Sequence, residues 1–207
     1  MKLMRNLNSS KMKSTQQVML HEKGIFILLA GANASGKSTV IKDKHVKGRI
    51  KHYLDPDRFF VAEDEILSSK ALKFYREKSM KFSVQCVDDW LASELFRKEG
   101  IATESNLLTE RDFENFEIAK NAGMRTELYF VGLPLETAKE REEIRAANGD
   151  QEKIELKKLI RRYKNGLSNI QKHIDSGNID LIKIYDNSRG IGDETLVLHN
   201  GTPHRKR

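Results

Sequence analysis

The residues Gly31-Ala32-Asn33-Ala34-Ser35-Gly36-Lys37-Ser38-Thr39 carry the strongest chemical signal in the chain. Gly31 to Ser38 satisfies the pattern G-x-x-x-x-G-K-[ST], and each fixed position has a physical reason. The glycines let the backbone curl so that successive N–H groups point at one set of phosphate oxygens. Lys37 is placed to reach the β- and γ-phosphates of a nucleoside triphosphate, and the Ser38 hydroxyl to ligate Mg²⁺. Thr39 belongs to the same nucleotide-binding stretch. The pattern implies ATP or GTP as phosphoryl donor and does not by itself choose a reaction.

Transfer of a phosphoryl group also needs a base for the acceptor and cations for the developing charge. In a doubly wound sheet such groups gather at the carboxyl ends of the strands. After the second expected strand comes Asp55-Pro56-Asp57-Arg58, where either carboxylate can serve as base or as a partner of the metal; the same residues also make an ordinary turn. After the third come Glu104, Ser105 and Asn106, which suit an acceptor, a metal or simply a helix cap. Arg141 and Arg145 lie four apart on one helix and so share a face. They can clamp a γ-phosphate or pair with nearby glutamates such as Glu142. Arg161 and Arg162 carry the same ambiguity. Asp186-Asn187-Ser188 follows a late strand, and Asn187 is the candidate there for contact with the nucleotide. His21, His45, His52 and His173 show no metal-ligand spacing and are expected to be structural or exposed.

These groups need a scaffold, and the hydrophobic pattern supplies one. Residues 25–30 are continuously apolar, as in a strand buried on both faces. A short helix should follow the glycine-rich loop. A strand is expected over 52–54, then a helix over 61–99 ended by Gly100. In that helix Phe82, Cys86 and Trp90 form one apolar row, and Val87, Leu91 and Leu95 another. Strands are expected over 101–104, 126–131 and 180–185, with an edge strand over 195–199. Helices are expected over 110–121, 135–147 and 154–174, the last with Leu156, Leu159, Tyr163, Leu167 and Ile170 on one face. Strands alternating with helices predict an α/β fold: a doubly wound, mostly parallel sheet flanked by helices in a single domain. Residues 1–22 read as an N-terminal extension, 23–200 as the P-loop domain and 201–207 as a basic tail.

Composition bounds the rest. A chain of 207 residues can bury one sizeable core. Its single cysteine, Cys86, excludes an internal disulfide and reads as a small buried hydrophobe. No apolar run is long enough to span a membrane, and residues 1–20 lack the apolar region of a secretion signal, so the expected location is the cytoplasm. The net charge of +7 favours phosphate-rich partners in general. No aromatic–basic interleaving marks a nucleic-acid surface, so nucleic acid is not the favoured partner.

Taken in order, the P-loop, the Asp after the second strand, Glu104-Ser105-Asn106, the arginine pair, Ile160-Arg161-Arg162-Tyr163 and Tyr185-Asp186-Asn187-Ser188 resemble the zeta toxin-like P-loop kinases. The resemblance runs from about residue 25 to 188 and is closest to the compact bacterial branch labelled predicted ATPases. It implies Asp57 as the catalytic Asp, Glu104 as the acceptor-side Glu, and Arg141, then Arg145, at the γ-phosphate. It also implies a Mg²⁺-dependent transfer to a hydroxyl of a small acceptor. Characterised members phosphorylate the 3′-hydroxyl of the sugar in UDP-N-acetylglucosamine, and a small antitoxin blocks their nucleotide site. The chain departs from the branch in three places. Its loop reads Gly-Ala-Asn-Ala-Ser for the usual Gly-Pro-Asn-Gly-Ala, Asn148-Gly149-Asp150 stands for a Gly-Gly-His, and Ser105-Asn106 stands for two threonines. Two other readings stay open: a nucleoside or polynucleotide-end kinase, and a nucleotide-binding module without catalysis.

Overall fold

The computed structural model describes residues 24–42, 44–55, 69–106, 109–149, 154–189, 194–199 and 202–204. Its centre is β1 (Ile25–Ala30), whose six side chains are all buried. They divide by the two-residue period of a strand. Phe26, Leu28 and Ala30 enter one apolar cluster, and Ile25, Ile27 and Leu29 enter another on the opposite face. The unbroken apolar run thus reflects a strand with protein on both sides.

Among the described residues six further strands join it: β2 (His52–Leu54), β3 (Ile101–Ser105), β4 (Arg125–Gly132), β5 (Leu181–Asp186), β6 (Glu194–His199) and β7 (Thr202–His204). The spatial order is β2-β3-β1-β4-β5-β6-β7. The first five are parallel, and β6 and β7 add antiparallel pairs at one side. The doubly wound α/β expectation holds. The strand at 194–199 is not the edge, because residues 202–204, within the stretch read as a tail, pair with it.

The helices are α1 (Lys37–Val40), α2 (Lys44–Lys47), α3 (Ser69–Ala92), α4 (Glu94–Glu99), α5 (Glu110–Asn121), α6 (Leu135–Ala147) and α7 (Leu156–Asp175). The helix expected over 61–99 is broken at Ser93, whose backbone is extended; residues 61–68 lie outside the described residues. Arg97 stabilises the break by donating from Nη1 to the carbonyls of Leu91 (2.7 Å) and Ala92 (3.0 Å) at the open end of α3. The break turns Leu95 out to solvent and sets Phe96 against the core. The row Ser83, Val87 and Leu91 is the buried one, while Phe82 is exposed and Cys86 and Trp90 are half-buried.

Helix α7 buries only part of the expected face, with Ile170 packed against the core. Leu159, Gly166 and His173 are buried, whereas Leu156 and Leu167 are exposed. Gly166 faces the Asn106 carbonyl oxygen, which a Cβ there would meet at 3.7 Å, an ordinary contact distance. His173 is fully buried, stacked on Phe113 with ring centroids 3.6 Å apart and edge-on to Phe116.

Candidate active site

The parallel strands end together, and the candidate chemistry gathers there. Gly31 follows β1 directly with φ 147°, and its N–H donates to the Ser105 carbonyl (3.3 Å). A Cβ on Gly31 would stand 2.4 Å from the Val131 carbonyl oxygen, so only glycine lets the loop turn between β3 and β4. Ala34 (φ 59°) and Gly36 (φ 98°) are left-handed, and these reversals curl the loop back on itself. The helix that follows is one turn long, so the anion cradle rests on loop amides more than on an extended helix dipole.

Lys37 lies beneath this loop, only 7% exposed. Its Nζ donates to the carbonyls of Gly31 (3.1 Å) and Ala32 (3.2 Å) and to Asn106 Oδ1 (2.7 Å). The ammonium is therefore desolvated but satisfied, and held where a phosphate would bind. Asn106, placed by sequence on the acceptor side, is in direct contact with the phosphate-binding lysine.

The Ser38 hydroxyl donates to Glu104 Oε1 at 3.2 Å, and the Tyr53 hydroxyl donates to the same oxygen at 2.5 Å. Burial pushes the Glu104 carboxyl up. The nearby Lys37 charge opposes this, the Asp55 charge adds to it, and the net direction is upward. A serine hydroxyl and a carboxylate side by side, with Asp55 close enough to act on it, form a hard-oxygen donor set. That set fits Mg²⁺, which is held by one or two side chains and completes its shell with phosphate and water. Among the described residues no group of three or more His, Cys, Asp or Glu forms a closed metal cage.

Ser105 faces elsewhere. Its hydroxyl donates to Asp112 Oδ2 (2.8 Å), the carboxylate that also receives the Thr109 N–H (2.6 Å) and hydroxyl (3.0 Å) at the start of α5. The cap itself is Thr109, in a capping box with Asp112, and Ser105 supports it through that carboxylate. Asp57 lies outside the described residues, and Asp55 stands half-buried just past β2.

Asn187 is buried, and its side-chain amide donates to the Ser35 carbonyl of the loop (2.6 Å). Its N–H donates to the Gly132 carbonyl (2.8 Å), and its own carbonyl accepts from Arg141 Nη2 (2.8 Å). It braces loop, β4 and α6 together. Arg141 is thus brought to the site edge. Arg145, one turn on, is half-buried and makes no hydrogen bond to the loop or to Asn187 among the described residues. Arg162, which sequence reasoning left ambiguous, donates from Nη1 to Asn33 Oδ1 (2.7 Å) and so sits over the loop. Its signal was present only in the Arg-Arg-Tyr resemblance. Tyr53 carries no sequence signal beyond its place in a strand. Thr39 is exposed, and Ser35 is buried with its hydroxyl unpartnered among the described residues.

The model of the Zeta toxin family matches residues 9–200. The chain belongs to the zeta toxin family. Zeta toxin membership, with the loop geometry above, makes it a nucleotide-dependent P-loop kinase, a phosphotransferase. No curated protein sequence matches it. Solved structures similar to this zeta toxin family chain include the AvrRxo1-ORF1:AvrRxo1-ORF2 complex with sulphate ions. That match has 16% identity, a TM-score of 0.69, and covers 97% of this chain and 69% of the other. The same complex with ATP matches at 15% identity and TM-score 0.65, covering 97% and 68%. The PezAT chromosomal toxin-antitoxin system of Streptococcus pneumoniae matches at 20% identity and TM-score 0.58, covering 84% and 72%. At these identities the likeness is one of fold. Among the described residues no helix is long and apolar enough to cross a membrane.

Proposed function

We propose that this kinase moves the γ-phosphate of ATP to a hydroxyl of a small acceptor, with a UDP-activated amino sugar as the acceptor class. The observation that carries it is the convergence on one loop of Lys37, the Ser38–Glu104 pair and Asn106. A donor phosphate and an acceptor would meet there. ATP bound in a structure of similar fold supports the choice of donor.

In this reading the amides of Gly31 to Ser38 and the Lys37 ammonium hold the triphosphate, and Thr39 continues the nucleotide-binding stretch. Ser38, with Glu104 beside it, holds Mg²⁺, which when bound neutralises charge on the phosphates. Asp57 accepts the acceptor proton; Asp55, near Glu104, is the alternative base. Arg141 meets charge at the γ-phosphate from α6, with Arg145 one turn behind, and Arg162 does so from α7. Glu104 stands between the metal-side hydroxyl and the acceptor. Asn187 acts on nucleotide binding through the loop it braces. A two-chain complex and a toxin–antitoxin system among the similar folds support a partner protein for this kinase.

The test is transfer of label from γ-labelled ATP to a panel of UDP-sugars, nucleosides and RNA ends. Transfer to a UDP-sugar is expected, and Lys37→Ala should abolish it. Asp57→Asn should lower kcat about a hundred- to a thousandfold with ATP binding retained. If Asp57→Asn transfers normally and Asp55→Asn does not, the base is Asp55. A polynucleotide-end kinase is the second reading, favoured by exposed Lys157, Lys158, Arg161, Lys164 and Lys172 on α7. Label on RNA ends, with affinity falling steeply as salt rises, would establish it instead.

A further inference from the structure

We propose that Tyr53 is a positioning residue of the phosphoryl-transfer site: its phenol holds the Glu104 carboxylate beside the Ser38 hydroxyl and so sets the metal-side oxygens before nucleotide arrives. The inference rests on the phosphotransferase reading above and deepens it.

Strand register sets the geometry. β2 and β3 pair in parallel with Tyr53 opposite Ala102 and Leu54 opposite Thr103. Side chains alternate along a strand, so Ala102 and Glu104 share a face, and Tyr53 lies on that same face two positions behind Glu104. A diagonal neighbour at this separation is beyond a short side chain and within reach of a tyrosine. The ring is anchored by packing against the cluster that contains Ile25, Ile27 and Leu29. Its hydroxyl is thereby delivered at a fixed height, 2.5 Å from Glu104 Oε1.

That oxygen also receives the Ser38 hydroxyl, at 3.2 Å. Two donors on one carboxylate oxygen hold that oxygen in place. Without the phenol, a glutamate with three rotatable bonds is held to the loop by the longer contact. Its preorganisation toward a cation then falls, because the ordering has to be supplied on binding.

A second consequence follows from the shape of β2. The strand is three residues long and, among the described residues, ends the sheet beside β3. Its carboxyl end runs directly into Asp55, so the Tyr53–Glu104 bond ties the carboxylate-bearing end of β2 to the end of β3. It governs the spacing between the base side and the metal side of the site.

The experiment uses the full chain with Tyr53→Phe, which keeps the ring and removes the donor. Mn²⁺ as probe is titrated by electron paramagnetic resonance in the presence of a non-hydrolysable ATP analogue. The analogue's affinity without metal, thermal unfolding, and kcat across a range of Mg²⁺ concentrations are measured alongside. Mn²⁺ affinity is expected to fall about tenfold, as for loss of a partner that orients a metal-binding carboxylate. The metal-free affinity should stay near the wild type, and Tm should fall by about 2–4 °C at most, as for one lost hydrogen bond. kcat should fall about tenfold at low Mg²⁺ and recover in part at high Mg²⁺. In a Glu104→Gln background the Tyr53→Phe change should have no further effect on Mn²⁺ affinity. Unchanged Mn²⁺ affinity in the single variant would overturn the proposal. So would a fall in Tm with a parallel fall in metal-free affinity, the signature of a residue that only packs. Failure of the wild type to phosphorylate any acceptor would refute the kinase reading, and it would leave the Mn²⁺ titration able to judge Tyr53 by itself.

Discussion

Ala34 holds a left-handed backbone with φ 59°, inside the loop that must wrap phosphate. An L-residue there carries a steric penalty of roughly 1–2 kcal/mol, and the larger freedom of an unfolded glycine takes back roughly 0.5–1. Ala34→Gly should therefore stabilise the protein by about 0.5 kcal/mol and raise Tm by about 1–2 °C, with ATP affinity retained. A lower Tm would mean that the Ala34 methyl group makes contacts worth more than the strain. The same residue explains a departure visible in the sequence, since the branch this chain resembles has glycine at that position. Lys37 and Ser38 were legible because their pattern is defined by spacing along the chain. Tyr53 and Arg162 were not, because their partners Glu104 and Asn33 are 51 and 129 positions away. Asn187 was legible as a site residue but not in its geometry. Its amide braces the loop carbonyl of Ser35, a contact that only the end of β5 can deliver.

At the scale of elements, α5 and α7 meet through His173, stacked on Phe113 with neither ring nitrogen partnered among the described residues. Burial without a partner pushes its pKa down from 6.5 to about 4. The folded state thus resists a proton that the unfolded state accepts near its ordinary pKa. The unfolded state binds more protons between pH 6.5 and 4, so stability falls as pH falls through that window and is unaffected above it. The loss should reach about 2–3 kcal/mol by pH 4.5. Urea unfolding of His173→Leu should show a much flatter pH dependence over this range; an unchanged slope would mean that other groups govern acid stability. The histidine also bears on which residues of α7 are buried. The apolar repeat placed Leu156, Leu159, Tyr163, Leu167 and Ile170 on one face; Leu159 is buried and Ile170 packs on the core, but Leu156 and Leu167 are exposed, and Gly166 and His173 join the buried row. A glycine and a histidine carry little weight in a hydrophobic pattern. His173 enters the core through ring stacking.

For the molecule as a whole, the sheet order separates chemistry from a buried charged network. The carboxyl ends of the parallel strands carry the loop, Glu104 and Asn187. Near the start of β4, the fully buried Glu127 accepts from Arg49 (2.6 and 2.9 Å), Arg125 Nε (2.7 Å) and the Tyr129 hydroxyl (2.6 Å). Burial pushes the Glu127 carboxyl up, but the Arg49 and Tyr129 hydrogen bonds and the arginine charges outweigh it and hold it below the usual range. The same burial, with the Glu127 charge, raises the Tyr129 phenol. Removing Glu127 leaves the buried Tyr129 hydroxyl without its acceptor, while Arg49 and Arg125 are exposed enough to be solvated. Glu127→Ala should cost about 2 kcal/mol, a fall of roughly 4–8 °C in Tm. Its kcat, measured well below that Tm, should match the wild type. A large loss of kcat in a folded variant would mean that the network reaches the site.

The amino-acid sequence by itself determined the P-loop, the α/β alternation, the family resemblance and the segments in which the catalytic candidates lie. Those properties are written in local spacing: a glycine pattern, a strand period and a helix period. Tertiary structure alone decided which candidates share space. It put Asn106 on Lys37, Glu104 on Ser38 and Tyr53, Ser105 on a helix cap, and Arg162 over Asn33. The physical reason is that the strands lie in the order β2-β3-β1-β4-β5. That order brings together residues from distant parts of the chain, and no local pattern records which of their side chains will meet.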